Sequence, residues 1–236
     1  MPQPTWLVIA NGPILRFALV IMLLGLARLI FLAIWGVASA TRRAGNRNVP
    51  YAQVFKDSAT WLFPIHRLHR VRPIYSYASF VFHIGLILGL LFLQNHIDLL
   101  HKSAGLAWPA MPRLLLDVLT LLSIIAGAYL LLYRLYVRSA RALSGPVDYL
   151  LLLLLLNIFL SGYVAGQPWN PIPYGGLMLF HTVNGLLLLI LIPFTKIAHC
   201  VLFPLVRLSS EIAWHLTPQG GANVNQTLYG PEGRKI

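Results

Sequence analysis

Residues 147–165 read VDYLLLLLLLNIFLSGYVA, with seven consecutive leucines from Leu150 to Leu156 and one charge, Asp148, near the start. An α-helix rises about 1.5 Å per residue, so about 20 apolar residues cross the hydrocarbon core of a bilayer. This stretch is therefore expected to be a membrane span. Four more resemble it, at about 14–40, 74–100, 114–137 and 177–206. The first has Arg16 near its start and is broken after that only by Arg28, and the last contains Pro193 and Pro204. No segment alternates with period two, and an open sheet could not satisfy its backbone in lipid. The expected fold is an all-α integral membrane bundle of five transmembrane helices, a single domain over 1–208 with a short tail at 209–236.

Composition agrees. Hydrophobic residues make up 58% of the chain and charged residues 10%, against about 25% charged in an ordinary soluble domain. The net charge of +12 does not indicate nucleic acid, because the basic residues lie between apolar runs, where they orient membrane proteins. Arg16 precedes an apolar run too long for a signal-peptide core, so that run is expected to stay as a span. Cys200 is the one cysteine. It cannot make an internal disulfide, and it excludes a Cys-ligated iron–sulfur cluster or a CxxCH haem attachment within the chain.

The loops set the expected orientation. Arg42, Arg43, Arg47, Lys56, Arg67, Arg70 and Arg72 lie between spans one and two, and Arg138 and Arg141 between three and four. The opposite loops hold Lys102 and Arg113. Positive residues favour the cytoplasmic side, which puts the N-terminus outside and the C-terminus inside. The 41–73 loop is the longest polar segment and the expected docking surface, together with the tail. His66 and His69 lie in its basic HRLHR run and are expected to serve docking rather than ligation.

Polar side chains inside a membrane helix are costly and usually mark function. Here they are mainly histidines: His83 and His96 on span two, His181 and His199 on span five. The two spans run antiparallel in this topology. His83 and His199 then share the inner level, and His96 and His181 the outer level. Two bis-histidine haems require this arrangement, one imidazole on each face of each iron. Along straight helices the spacings differ, about 20 Å for His83–His96 and about 27 Å for His181–His199. His101 matches span five better on spacing, but it lies beyond Asp98 and beside Lys102, at the membrane surface. His96 and His101 are therefore alternatives for the outer ligand, with depth favouring His96. Gly85, Gly89 and Gly185 lie near the histidines, where they suit either a haem against a helix or close helix packing. The competing reading of the histidines, bonding to neighbouring helices, is weakened by two pairs at matched depth. A metal-transport site lacks acidic companions in the membrane core.

On these residues the chain resembles the gamma subunit of respiratory nitrate reductase and its relatives. Among the relatives are the cytochrome b subunits of sulfite-reduction-associated, heterodisulfide-reductase-like and transmembrane redox complexes. The resemblance spans roughly Tyr75 to Leu208. It rests on Phe82-His83-Ile84-Gly85 with His96, and on Phe180-His181 through Ile192-Pro193-Phe194-Thr195-Lys196-Ile197-Ala198-His199. Asp117 to Leu122 and Asp148 to Leu151 are similar to the branch outside nitrate reductase. The second histidine of span two comes three residues later than in nitrate reductase, which favours that same branch. The resemblance implies five spans and two haems b. His83 and His199 would hold the inner haem, and His96 and His181 the outer one.

Quinol is the expected electron donor near the outer haem, with a cytoplasmic iron–sulfur subunit as the partner docking on 41–73 and the tail. A periplasmic multihaem cytochrome c is the further partner expected for the transmembrane redox branch, and a bacterial or archaeal inner membrane is the expected location. Asn95, Asp98, His101 and Lys102 are the candidate quinone-site residues, able to bond a quinone oxygen or relay a proton; a solvated helix end is the plainer account of them. Arg28 and Lys196 are candidate propionate contacts. The alternative is a haem-free scaffold subunit of a respiratory complex. A small transporter would predict an internal repeat, and the hydropathy halves do not mirror each other.

Overall fold

The computed structural model describes residues 5–44, 48–62, 72–216, 219, 226 and 227. Among these there is no strand. The His66–Arg70 run, Arg47 and most of the tail beyond Leu216 lie outside the described residues. The helices are α1 (Thr5–Ile9), which leads through a π-turn (Ala10–Ile14) into α2 (Leu15–Arg43), α3 (Tyr51–Leu62), α4 (Pro73–Phe92) and α5 (Gln94–Ala104). They continue as α6 (Arg113–Tyr136), α7 (Arg138–Ala142), α8 (Pro146–Ala165), α9 (Tyr174–Leu191) and α10 (His199–Leu216). Among the described residues six helical stretches are long and apolar enough to cross a membrane: Thr5–Arg43, Pro73–Phe92, Arg113–Tyr136, Pro146–Ala165, Tyr174–Phe194 and Lys196–Leu216.

Two expected spans are interrupted. The stretch at 74–100 is not one helix: α4 stops at Phe92, Leu93 is extended, and α5 restarts at Gln94. The carbonyls freed at that end gain new donors. The Trp108 indole N–H donates to the Leu91 carbonyl at 2.7 Å. The Met111 N–H donates to the Phe92 carbonyl at 3.1 Å. Gly105 ends α5 in the left-handed region at φ 73°, a conformation that costs a side-chain-free residue little.

The stretch at 177–206 breaks between α9 and α10. Pro193 brings no N–H to the helix, and Thr195 is extended. The Thr195 hydroxyl donates to the Leu191 carbonyl at 2.8 Å and accepts from the Ile197 N–H at 3.3 Å. One side chain therefore closes α9 and caps the turn that follows. The last helix carries on past residue 208 to Leu216.

The chain forms two units, Met1–Ile21 with His66–Ile190, and Met22–Ile65 with Leu191–Ile236. In the first, α4, α6 and α8 pack around Phe82, Ala126, Leu130, Leu152 and Leu156. Small residues allow the approach. A Cβ at Gly85 would lie 1.8 Å from the Ser123 hydroxyl and 2.9 Å from the Leu119 carbonyl. A second cluster joins Ala10, Leu15 and Ala18 to Leu186 of α9, with Leu99 of α5 against it. Arg134 and Asp148 pair at 3.9 Å. Asp148 also accepts the Gly145 N–H, which starts α8. The outward faces are apolar, with Leu114, Ile125 and Leu150 all exposed, as lipid contact requires.

In the second unit α3 packs on α10 through Val49, Val54 and Ile212, with Val37 and Leu208 alongside. Gly25 of α2 meets Pro193, where a Cβ would come within 2.5 Å of the proline Cβ.

The glycines of α4 separate two roles. Gly85→Val overfills the contact with Ser123 and should lower stability by about 1–3 kcal/mol. A Cβ at Gly89 would meet nothing within 4 Å, so Gly89→Val should cost the helix packing less stability than Gly85→Val. Denaturation of the two variants in detergent micelles checks the contrast.

Candidate functional site

His96 lies on the first turn of α5, and His181 on the second turn of α9. The break at Leu93 determines where the His96 ring goes. Because α5 starts afresh, the ring turns back onto the end of α4, and its Nδ1–H bonds the Gly89 carbonyl at 3.0 Å and the Leu90 carbonyl at 3.2 Å. The His181 ring reaches α8, where Nδ1 lies 3.1 Å from both the Ile158 carbonyl and the Ser161 hydroxyl. The two imidazole centres are 6.3 Å apart, with their planes within 5° of parallel. Both residues are half-buried.

A carbonyl can only accept, so a neutral ring bonded to one through Nδ1 carries its proton there. The lone pair is then on Nε2. All four histidines expected to be ligands have this contact. His83 Nδ1 bonds the Ser79 carbonyl at 2.7 Å, and His199 Nδ1 bonds the Lys196 carbonyl at 2.7 Å. Such a bond fixes the tautomer and makes Nε2 a better donor to a metal. His83 and His199 belong to different units and are exposed on α4 and at the start of α10. The break between α9 and α10 also means that the spacing from His181 to His199 does not run along one straight helix.

His101, the alternative outer ligand, is exposed in the last turn of α5. The ring that meets His181 is that of His96. Asn95, Asp98 and Lys102 are exposed on the same short helix, and Asp98 accepts a bond from Gln94 at 2.7 Å. Arg28 is exposed on α2, and Lys196 is exposed just before α10.

None of the candidate site residues read from the sequence lies on α8, yet α8 supplies the Ile158 carbonyl and the Ser161 hydroxyl beside His181. A Cβ at Gly162 would lie 2.7 Å from His181 Cε1, so any larger residue there would push the ring from this position. The adjacent Ser161-Gly162 pair, small and polar within an apolar helix, was the available signal. The glycines beside the histidines divide: Gly85 is spent on packing against Ser123, whereas Gly89 and Gly185 face open space. Among the described residues no three or more His, Cys, Asp and Glu side chains gather as a metal cluster.

The fold and site define a multi-pass membrane protein whose helices carry a facing histidine pair. The chain belongs to the same family as a protein of Nitratidesulfovibrio vulgaris (strain Hildenborough). The two are 31% identical over 203 residues, covering 84% of this chain and 88% of the other. No family profile and no solved structure matches the chain.

In protein labelled with nitrogen-15 histidine, His96 and His181 are expected as Nδ1–H tautomers. Gly162→Val should displace the His181 signals and leave those of His96 in the same tautomer.

Proposed function

We propose that the chain is a di-haem cytochrome b subunit, with His96 and His181 as the axial ligands of one haem and His83 and His199 of the other. The observation that carries this reading is the spacing of the outer pair. An imidazole nitrogen sits about 2 Å from a bound transition metal, which puts the centres of two rings on opposite sides of one ion about 6.3 Å apart. The observed separation is 6.3 Å, with the rings stacked and their planes 5° apart, so axial ligation takes this spacing together with a turn of each ring that points its in-plane Nε2 lone pair at the iron. Two protein ligands are too few for a closed zinc site, which takes four. They suffice for a haem iron, whose porphyrin supplies the rest. Open space beside Gly89 and Gly185 suits a flat ring lying against helices.

A haem held there supplies one-electron exchange. The chain's own residues orient it and set its surroundings. The Ile158, Gly89 and Leu90 carbonyls hold the rings and raise the basicity of Nε2. Apolar walls keep the surroundings dry, which tunes the potential. Asn95, Asp98, His101 and Lys102, on the exposed face of the helix that carries His96, offer hydrogen bonds and proton relay to a quinol. The resemblance to the nitrate reductase gamma subunit and its relatives supports the same assignment, with electrons passing to a cytoplasmic iron–sulfur subunit docked on 41–73 and the tail.

The charge bias supports an external N-terminus and a cytoplasmic C-terminus. Five crossings fit this if the sixth candidate, Lys196–Leu216, lies along the interface. It is the least apolar of the six and carries Arg207 and Glu211 as an ion pair, a composition suited to that position.

The test is a haem count with reduced-minus-oxidised spectra of the purified chain. Two haems b are expected in the wild type. His96→Ala and His181→Ala should each remove the same one, and His101→Ala should remove neither. Purified, folded protein without a b-type band would overturn the reading, and loss of a haem in His101→Ala would reassign the outer ligand.

A further inference from the structure

The leucine-rich helix α8 contains one polar side chain that the haem reading leaves unused. Asn157 is the twelfth of the 20 residues of Pro146–Ala165 and lies about 2 Å from the helix midpoint along the axis. It is exposed. Its main-chain carbonyl accepts from the Ser161 hydroxyl at 2.6 Å, but among the described residues no hydrogen bond reaches its side-chain amide. Asn184 of α9, by contrast, donates its amide to the Phe180 carbonyl at 2.7 Å. An amide in hydrocarbon with neither water nor a partner is costly, so Asn157 calls for a partner from outside the chain.

The residues around it say what that partner is. Leu150, Asn157 and Val164 recur every seven positions, and Leu153 and Leu160 fall between them at spacings of three and four. These are the a and d positions of a heptad, with the amide at the central a position. The buried residues of α8 lie off this seam, at Leu151, Leu152, Leu154, Leu156 and Ser161. On the seam Leu150 is 64% exposed, Leu153 42% and Leu160 45%. The leucines alone would suit lipid equally well; the amide would not. The seam is also complementary to itself. Two copies inserted in the same direction carry α8 at the same depth with parallel axes. A two-fold axis between them then sets amide against amide, and an amide holds both a donor and an acceptor.

We infer that a second copy of this chain packs along this face, α8 against α8, with the two Asn157 amides hydrogen-bonded across the two-fold axis. Apolar side chains gain little from each other over lipid tails, so the amide pair carries a large share of the association. A seven-residue seam gives the left-handed crossing of about 20°. No side chain of the histidine site takes part, so the pairing stands apart from haem.

The full chain, labelled at the N-terminus with a donor or an acceptor fluorophore, is reconstituted in phosphatidylcholine vesicles over a range of protein-to-lipid ratios, and energy transfer reads the association. A dimer is expected. Asn157→Leu should weaken it about tenfold, and Asn157→Gln, which keeps an amide, should restore most of the loss. Val147→Ala, at an exposed position of α8 off the seam, should change nothing. In a Cys200→Ser background, Leu160→Cys should form a disulfide-linked dimer on oxidation in membranes, and Leu132→Cys on α6 should not. A haem count on the same samples keeps this test separate from the preceding one, because dimerisation is expected whatever that count shows. A wild type that stays monomeric at every density, an Asn157→Leu variant that associates as the wild type does, or loss of a haem in Asn157→Leu would overturn the assignment.

Discussion

A helix that ends in or beside a hydrocarbon layer must find new donors for the carbonyls it releases. This constraint shapes both interruptions that matter here. At the end of α4 the donors come from the loop that follows α5, through Trp108 and Met111. At the end of α9 a donor comes from Thr195, two residues past a proline. The first break frees His96 from the direction that a continuous helix would impose. The second places His199 at the start of a new helix. The location of the histidines is therefore a consequence of where backbone carbonyls could be satisfied.

The same carbonyls then orient the rings. Each of the four histidines gives its Nδ1–H to a main-chain oxygen. For His83 that oxygen is one turn back in its own helix, and for His199 three residues back. For His181 it belongs to α8, and for His96 to α4. The last two are contacts between helices, so the tautomer at that pair depends on tertiary packing. Gly162 is part of that dependence, since a side chain there would occupy the position of the His181 ring.

Helical membrane character was legible because apolar runs of sufficient length leave few alternatives. The nearness of His96 and His181 was also foreseeable, since each stands near one end of an apolar stretch and the two stretches run oppositely. The break at Leu93 was not legible. Leucine is a good helix former, and the groups that compensate the break lie fifteen or more positions later. Pro193 and Thr195 were visible, but a proline in a membrane helix is often tolerated, so a bend was the natural expectation. The part played by α8 was hidden for a different reason. Ser161 and Gly162 carry no metal-binding chemistry and act only through the ring they admit.

The acidic residues explain why so basic a chain need not be a nucleic-acid binder. The chain has 18 Lys and Arg against 6 Asp and Glu. The five described acids are each engaged locally: Asp57 by Gln53, Asp98 by Gln94, Asp117 by Arg113, Asp148 by Arg134, and Glu211 by Arg207. Most of these contacts join residues four apart on one helix, where a short acceptor meets its partner at little conformational cost. The carboxylates are thus used to finish helices and connections, and few are left to neutralise the basic loops. The remaining positive charge must be balanced from outside the chain. At a membrane surface the nearest large supply of negative charge is lipid phosphate, and the next is an acidic face on a docked subunit. The segment between α2 and α4 is rich in basic residues, so it can meet either.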